Sequence, residues 1–331
     1  MGVDNAWKFL SKKGINGDVI RDPLEVLSRQ EAQPPIRVDI VGAFYSNLKH
    51  HFLSCDPEDT DQLTKASQSF LDGIVTILAK DRSILYLDGK PTVEREYAYT
   101  QRISSLLKKQ QALESELRDY IEYPTGPHLD KLVKMIRDVF VFTEDMKEAL
   151  LITAKRMGWN VVRADGEAEA MIGKAGGIVL SQDSDMLFYP GVDTVIKQVG
   201  KEQFRVFNKP SLLAKLQLTS NAFTALGILA ANDYGPGLFG RGSLVSNDCN
   251  IYDTVLGIQR TSNPDLSVKD VVVAYTNKMN EDAKKPVFFE CFSKPYRVFV
   301  LQEEELLPPY YDIRSRYLYS TFYFMQKLDT I

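Results

Sequence analysis

Short apolar runs alternate along the chain with stretches of helical periodicity, and this alternation predicts an α/β fold. Runs of a length that favours buried strands occupy residues 36–41, 84–87, 159–162 and 178–180. The clearest helical periodicity covers residues 60–80, where apolar residues repeat along one face. Because strands separated by helices form βαβ units, we expect a mostly parallel central sheet flanked by helices.

The remaining pattern predicts further helices and one hairpin. A short amphipathic helix is expected within residues 1–14 and an irregular loop over residues 16–35. Residues 92–156 carry no strand signal. Helical patterns cover residues 95–118, 130–141, 144–157, 211–216, 221–231 and 267–284, and a hairpin is expected from residues 194–199 and 204–207.

Acidic residues lie at or next to the ends of the predicted strands. They are Asp39, Asp88, Glu167, Glu169, Asp183 and Asp185. A single acid at a strand end is as typical of a helix cap as of a metal ligand, and either closely spaced pair alone is more typical of a solvated surface. Because ligands of open α/β sheets bind at the carboxyl ends of strands, six acids in that position predict a shared site. A hard divalent cation with oxygen ligands, Mg²⁺ or Mn²⁺, would relieve their mutual repulsion.

Five motifs and the opening decapeptide together resemble the flap-endonuclease/XPG-type structure-specific 5′-nucleases, which have a PIN-like nuclease fold. The resemblance covers residues 1–242. It rests on MGVDNAWKFL at the start, Asp39 followed by Tyr45, LYLDGKP at 85–91, GEAEA at 166–170, DSDML at 183–187 and ANDYG at 231–235. The last motif adds Asp233 to the six acids.

The resemblance implies a division of the chain into four segments. Residues 1–92 and 157–235 would form the nuclease core, and residues 93–156 a helical arch insertion. Residues 236–331 would form a degenerate helix–two-turn–helix-like region and a C-terminal helical tail.

The resemblance also implies an enzyme that hydrolyses phosphodiester bonds with two Mg²⁺ ions, for which Mn²⁺ is a possible substitute. Two ions about 4 Å apart bind the scissile phosphate, activate a water and stabilise the leaving oxygen. By analogy Asp39, Asp88 and Glu169 would surround one ion, with Glu167 reaching it through water. The second would be held by Asp183 and Asp185, supported by Asp233.

Several other residues acquire expected roles from the resemblance. Arg95 and Arg102 would contact the scissile phosphate, and Gly2 would lie near the active site. Tyr45 is equally compatible with stacking a base and with a core position. The arch would bind the phosphates of a single-stranded 5′ end through Lys108, Lys109, Lys131, Lys134 and Arg137.

The family's duplex-binding module is only partly matched. Gly240 and Gly242 fit its Gly-x-Gly hairpin, but residues 243–250 lack basic residues and are rich in turn formers. Duplex binding and the associated K⁺ site are therefore in doubt. The tail also has no clear sliding-clamp-binding motif.

Composition says more about the partners and the cellular compartment of the protein than about its activity. The chain has 331 residues, 44% of them hydrophobic, and a net charge of −4, which argues weakly against nucleic acid as a partner. Setting aside the seven proposed metal ligands leaves 37 of the 44 acids against 40 bases, so the remaining surface is slightly basic. Three scattered cysteines and the absence of a secretory signal or long apolar run indicate an intracellular protein outside the membrane.

Three functions remain open at this point. The first is a Mg²⁺-dependent nuclease, endo- or exonucleolytic, acting on branched or 5′-ended DNA. The second is a ribonuclease on the same scaffold, and the third is a non-catalytic nucleic-acid-binding or regulatory protein. Retention of all seven acids favours an active nuclease, and the resemblance favours the nucleus over the cytoplasm. The sequence leaves the oligomeric state open.

Overall fold

The protein forms two compact units. The structure, a computed structural model, describes residues 2–28, 34–200, 202–235, 243–245, 250–261, 265–283, 289–301, 303–307 and 320–329. Unit 1 comprises Met1–Ala43, Arg82–Ala98 and Arg163–Leu306, and unit 2 comprises Phe44–Asp81, Tyr99–Val162 and Leu307–Ile331. The division into four segments that the sequence predicts stays a prediction.

A seven-stranded mixed sheet is the centre of the fold. Its strands are β1 Asp18–Ile20, β2 Ile36–Asp39, β3 Ser83–Leu87, β4 Asn160–Arg163, β5 Gly177–Leu180, β6 Val192–Gly200 and β7 Gln203–Asn208, in the spatial order β1-β7-β6-β5-β2-β3-β4. Strand β2 pairs in parallel with β3 and β5, and β5 pairs in parallel with β6. The hairpin β6–β7 and the pairing of β1 with β7 are antiparallel. The predicted α/β class with a mostly parallel sheet is confirmed.

Fourteen α-helices are described in the two units. They are α1 Ala6–Lys12, α2 Glu25–Ser28, α3 Ile40–Phe52, α4 Thr60–Ile74, α5 Glu96–Glu122, α6 Gly126–Asp138, α7 Glu144–Arg156, α8 Ala168–Ala175, α9 Lys209–Leu216, α10 Ser220–Leu229, α11 Ile251–Thr261, α12 Val268–Ala283, α13 Phe289–Tyr296 and α14 Thr321–Asp329. Several begin at side-chain caps, as at α4, where the Asp59 carboxylate accepts hydrogen bonds from two backbone N–H groups.

Two expectations from the sequence were wrong in detail. The apolar run 36–41 does not continue as a strand, because β2 ends at Asp39 and α3 begins at the next residue. The Asp39 carboxylate accepts the Gly42 N–H at 2.9 Å, so this residue starts the helix that follows it. The expected loop over 16–35 contains β1 and α2. Strand β1 has three residues and forms only by pairing with β7, so it has no local sequence signal.

The core of unit 1 is formed by the strands and by α10. Ile36 and Val38 of β2 are fully buried, and every residue of α10 from Ala222 to Leu229 is buried. Among the described helices none is by itself long and apolar enough to cross a membrane; α9 and α10 reach that length and hydropathy only as a pair bent by 83°.

Unit 2 contains a helical hairpin whose core is completed by the C-terminal helix. Phe324 of α14 is fully buried in a cluster with residues of α5, α6 and the position after it, namely Leu113, Leu117, Leu132, Ile136 and Val139. The hydroxyl of Thr321, at the start of α14, donates to the Leu53 carbonyl at 2.8 Å. The α5–α6 hairpin is therefore packed on one side by α14.

Replacing Phe324 with Ala should destabilise the α5–α6 hairpin by about 3–5 kcal/mol, because it removes a fully buried aromatic side chain from this cluster. Amide hydrogen exchange across α5 and α6 measures the effect. Gln326→Ala, at an exposed position of the same helix, is the control. Equal protection of the hairpin in both variants would show that α14 does not stabilise it.

Candidate metal centre

All seven predicted acids lie in unit 1, and their electrostatic contacts link them into one group. Asp39 ends β2, and its two carboxylate oxygens accept hydrogen bonds from the Gly42 N–H and from the Ser181 hydroxyl, each at 2.9 Å. The charges of Asp88 and Asp183 act on it. Asp39 thus connects the ends of three neighbouring strands.

Asp88 connects β3 to the segment that carries Glu167 and Glu169. Its carboxylate accepts the N–H of Ala168, the first residue of α8, at 2.9 Å, a position where the helix dipole favours a negative charge. The next residue, Gly89, donates its N–H to the Gly166 carbonyl at 2.7 Å. A Cβ on Gly89 would collide with the backbone of this segment, so only glycine allows so close an approach.

The strongest candidate for a cation site is formed by Glu169, Asp183 and Asp185. One carboxylate oxygen from each lies within 4.8 Å of the others. Both carboxylate oxygens of Asp185 are buried and have no hydrogen-bond partner among the described residues. Since a buried, unpaired carboxylate is costly, Asp185 lacks a positive charge that a cation would supply.

Burial and mutual repulsion raise the pKa of several of these carboxyls. Burial, followed by the charge of Asp88, raises the pKa of Asp39 to about 7. Burial likewise raises the pKa of Glu169 and of Asp185 well above the ordinary range, and neighbouring acids, Asp183 among them, add to both shifts. A divalent cation would act in the opposite direction, by favouring the charged forms.

Two tyrosines support Glu169. The hydroxyl of Tyr234 donates a short hydrogen bond to its Oε1, and the hydroxyl of Tyr189 lies 3.4 Å from the same oxygen. Both rings are buried. Glu169 is therefore held through one oxygen, and its other oxygen is directed towards Arg95, 3.7 Å away.

Arg95 is the cation that the described structure places among the acids. Its guanidinium forms ion pairs with Glu167, with Asp233 and, less closely, with Glu169. Burial disfavours its charge, but these acids outweigh that cost and hold the pKa of Arg95 well above its usual value. Within the described residues, no ion pair is made by Asp39, Asp88, Asp183 or Asp185.

Asp233 reaches this group from the turn after α10. The side chain of Asn232 fixes the turn by donating to the Gly227 and Ala230 carbonyls and by accepting the Tyr234 N–H. The sequence predicted a Gly/Pro turn with an acid against it, and the resemblance added that acid to the six at the strand ends.

Gly2 lies beside Asp183. Its φ of +105° is in the region that favours glycine, and an added Cβ would collide with the Asp183 carboxylate and the Ser184 hydroxyl. Val3, the next residue, is held beside the same segment, since its carbonyl accepts a hydrogen bond from the Ser184 hydroxyl at 3.2 Å.

The other predicted contact residues lie in unit 2, apart from two that are not described. Tyr45 has a ring 40% exposed and a hydroxyl that donates to the Phe140 carbonyl at 2.8 Å. Lys131 pairs with Glu116 at 2.6 Å and remains exposed. Also in unit 2 are Arg102, Lys108, Lys109, Lys134 and Arg137. Gly240 and Gly242 fall outside the described residues. Roles in binding nucleic acid stay predictions for all of these.

Several residues that support the site were missed by sequence reasoning. Ser181 and Tyr234 lie close in sequence to predicted acids, and this closeness could have identified them as part of the site. Tyr189 and Glu304 had none. Glu304 accepts the Glu167 N–H at 3.3 Å, and burial together with the charge of Glu167 raises its pKa to about 8.

The donor set fits divalent cations that prefer oxygen. All seven side chains offer carboxylate oxygens, and within the described residues neither histidine nor cysteine joins the triad. Oxygen-only donors suit Mg²⁺, Mn²⁺ or Ca²⁺ and disfavour zinc. The unpartnered carboxylate of Asp185 is the observation that most directly indicates a missing positive charge.

The sheet, the helical hairpin and this acidic site define the flap-endonuclease/XPG-type nuclease fold, as the sequence resemblance predicted. Among similar solved structures is the catalytic core of Rad2 in complex with DNA substrate. Its complex IV aligns with 99% of this chain and 99% of its own, with 15% identity and a TM-score of 0.51. Its complex II aligns with 96% of this chain and 87% of its own, with 19% identity and a TM-score of 0.50.

A weaker similarity, which adds nothing to the fold assignment, is to flap endonuclease-1 from Methanococcus jannaschii. It covers 89% of this chain and 93% of that one at 17% identity, with a TM-score of 0.42. No protein-family model and no curated protein sequence matches the chain.

The raised pKa values predict that the metal-free protein loses stability as pH rises from about 5 to 7. The folded state holds a proton on Asp39 up to about pH 7, whereas the unfolded state releases it near pH 3.8. The free energy of unfolding should therefore fall by up to about 1.4 kcal/mol per pH unit for this group alone. Urea unfolding in EDTA at each pH measures it.

Asp39→Asn, which cannot ionise, is the control and should show a shallower fall. A free energy of unfolding that rises or stays level over this pH range in the unsubstituted protein would contradict the predicted burial of protonated carboxyls.

Replacing Arg95 with Gln should destabilise the metal-free protein by about 3–5 kcal/mol, since it removes a buried guanidinium that pairs with Glu167 and Asp233. Mg²⁺ should then stabilise the variant more than it stabilises the unsubstituted protein, because Arg95 no longer competes for the same acids. Thermal unfolding in EDTA and in Mg²⁺ measures both effects. Arg21→Gln, at an exposed position of unit 1, is the control. Equal gains from Mg²⁺ in both variants would argue against competition.

Proposed function

We propose that this protein is a structure-specific 5′-nuclease that hydrolyses phosphodiester bonds in branched or 5′-ended DNA. The observation that carries the proposal is the cluster of Glu169, Asp183 and Asp185, with carboxylate oxygens within 4.8 Å of one another and four further acids linked to it. The fold supports the proposal, since the catalytic core of Rad2 with the same fold was solved with a DNA substrate.

Mg²⁺ is the proposed cofactor, with Mn²⁺ as a substitute. Asp39, Asp88 and Glu169 would hold one ion, with Glu167 nearby. Asp183 and Asp185 would hold a second, with Asp233 nearby. Bound there, the ions would supply the activation of a water molecule and the stabilisation of the leaving oxygen. The Asp39 hydrogen bonds from Gly42 and Ser181 keep its carboxylate oriented towards the other acids.

Arg95 has two proposed roles. Without cations it neutralises Glu167 and Asp233. Once cations bind these acids, the guanidinium becomes available for the scissile phosphate. Its planar arrangement of N–H donors can bind a phosphate through two hydrogen bonds. Arg102, seven residues further along α5, is the proposed second phosphate contact. Gly2 leaves room beside Asp183 that any side chain would fill.

Unit 2 is proposed to bind the single-stranded 5′ end. Basic side chains on α5 and α6 offer contacts to phosphates, and the exposed part of the Tyr45 ring offers a surface on which a base can stack. The internal pairing of Lys131 with Glu116 makes this lysine the weakest of those contacts.

Asp183→Ala should reduce cleavage by about 1,000-fold, because it removes a ligand from the charge-stabilising site and several kcal/mol of stabilisation with it. Purified protein is incubated with Mg²⁺ and labelled 5′-flap DNA, duplex DNA or single-stranded RNA, and product is quantified. Asp165→Ala, which removes an exposed acid near the same site, is the control and should cleave normally.

The substrate panel separates the alternatives. Cleavage of flap DNA that depends on Asp183 supports the proposal, and Asp183-dependent cleavage of RNA alone would replace it with a ribonuclease. Binding of flap DNA without cleavage would indicate a non-catalytic protein. Unchanged cleavage in Asp183→Ala would remove this residue from the mechanism.

A further inference from the structure

The C-terminal part of unit 1 contacts the residues that support the acidic site. We call residues 294–306 the C-terminal clasp; residue 302 lies outside the described part of it. The clasp follows Arg95 by about 200 positions in the chain, and none of the motifs that carry the nuclease resemblance falls within it. The clasp contacts three parts of the site: the turn that carries Arg95, the start of α8, and the two tyrosines whose hydroxyls contact Glu169.

The first contact is with the turn before α5. Val93 donates its N–H to the Glu305 carbonyl at 2.7 Å, and its own carbonyl accepts from the Lys294 ammonium at 3.0 Å. Thr92 and Leu306 form an antiparallel bridge beside this pair. Both backbone groups of Val93 are thus engaged by the clasp, two residues before Arg95.

The second contact is made by a buried carboxylate. The side chain of Glu94 is fully buried and pairs with the Arg297 guanidinium at 3.0 Å. Its other oxygen accepts the Glu305 N–H at 3.0 Å. A buried carboxylate with two partners on one segment holds that segment firmly, because losing the Arg297 guanidinium would leave a buried charge uncompensated.

The third contact acts directly on a proposed metal ligand. Glu304 accepts the N–H of Glu167, the residue directly before α8, at 3.3 Å. The neighbouring Ala168 N–H is bound by Asp88. Two carboxylates therefore fix the first amides of α8, and one of them comes from the clasp. Gly166 allows this approach, since a Cβ there would lie 2.8 Å from the Glu304 carboxylate.

The fourth contact is aromatic. The fully buried ring of Phe299 packs against Tyr189 at 4.8 Å and against Tyr234 at 5.7 Å between ring centroids. Both tyrosine hydroxyls contact Glu169.

We propose that the C-terminal clasp is a positioning element of the metal centre, and that Glu304 positions Glu167 by accepting its backbone N–H. The proposal rests on the proposed metal-dependent function. It assigns a role in that function to residues outside the motifs that resemble the nuclease family. Outer partners that orient metal ligands typically contribute 10–100-fold to metal affinity.

Two conservative substitutions separate positioning from charge. Glu304→Gln cannot ionise but keeps an oxygen at the same reach, so Mn²⁺ affinity should stay within about twofold of the unsubstituted protein. Glu304→Asp keeps an ionisable carboxyl but shortens the side chain by one methylene, so Mn²⁺ affinity should fall by about tenfold. Glu303→Ala removes the adjacent, exposed acid and should bind Mn²⁺ normally.

The full-length variants are titrated with Mn²⁺ alone, and the loss of the free-ion electron paramagnetic resonance signal measures binding. Thermal unfolding confirms that each variant is folded. The opposite order, with Glu304→Gln weakened and Glu304→Asp unaffected, would show that Glu304 acts by its charge and would overturn the positioning role. Equal affinity in all variants would also overturn it. An unsubstituted protein that binds no Mn²⁺ would instead refute the metal-dependent function, and the clasp's proposed role with it.

Discussion

Mutual repulsion among buried carboxylates is the constraint on which the rest of this structure depends. Asp39, Glu169 and Asp185 are all buried at the site, and each feels the charge of at least one other acid. Placing such groups together costs free energy, because burial removes their hydration and the apolar surroundings do not compensate for it. The fold offsets part of the cost with hydrogen bonds from Ser181 and Tyr234 and with the guanidinium of Arg95. What remains, chiefly at Asp185, is the charge that a divalent cation is suited to balance.

The position of Arg95 shows how a nuclease-like site can be stable before it binds metal. Its closest ion pairs are with Glu167 and Asp233, and within the triad it pairs, at a longer distance, with Glu169. On the proposed function, metal binding and release of Arg95 would be linked, because the same acids would serve both. On the sequence evidence Arg95 was a phosphate contact only, since its pairing with acids from two distant segments is a property of the folded chain.

Sequence reasoning predicted the mostly parallel sheet, and grouped the acids at one edge of it, for one physical reason. In a parallel sheet the carboxyl ends of the strands lie at the same edge. The strand pattern alone therefore predicts that Asp39, Asp88 and Asp183 lie near one another. Features that depend on contacts distant in sequence were not predictable. Strand β1 forms only by pairing with β7, and Glu304 lies in a run of three glutamates in which nothing distinguishes the one that contacts Glu167.

The chain after residue 290 supports both units by separate means. In unit 1 the clasp binds the turn before α5 and the start of α8, and in unit 2 helix α14 completes the core of the α5–α6 hairpin. Poor hydrophobic patterning made this tail the least informative part of the sequence. Two of its described apolar residues, Phe299 and Phe324, pack against elements far away in the chain.

The central claim is that these seven acids bind a pair of divalent cations. The most direct test is the anomalous difference map of crystals saturated with Mn²⁺. The account predicts two peaks among the acids, one next to Asp39 and Asp88 and one next to Asp183 and Asp185, with Arg95 withdrawn from Glu167. A map without peaks at these carboxylates, with Arg95 still paired to Glu167 and Asp233, would contradict it.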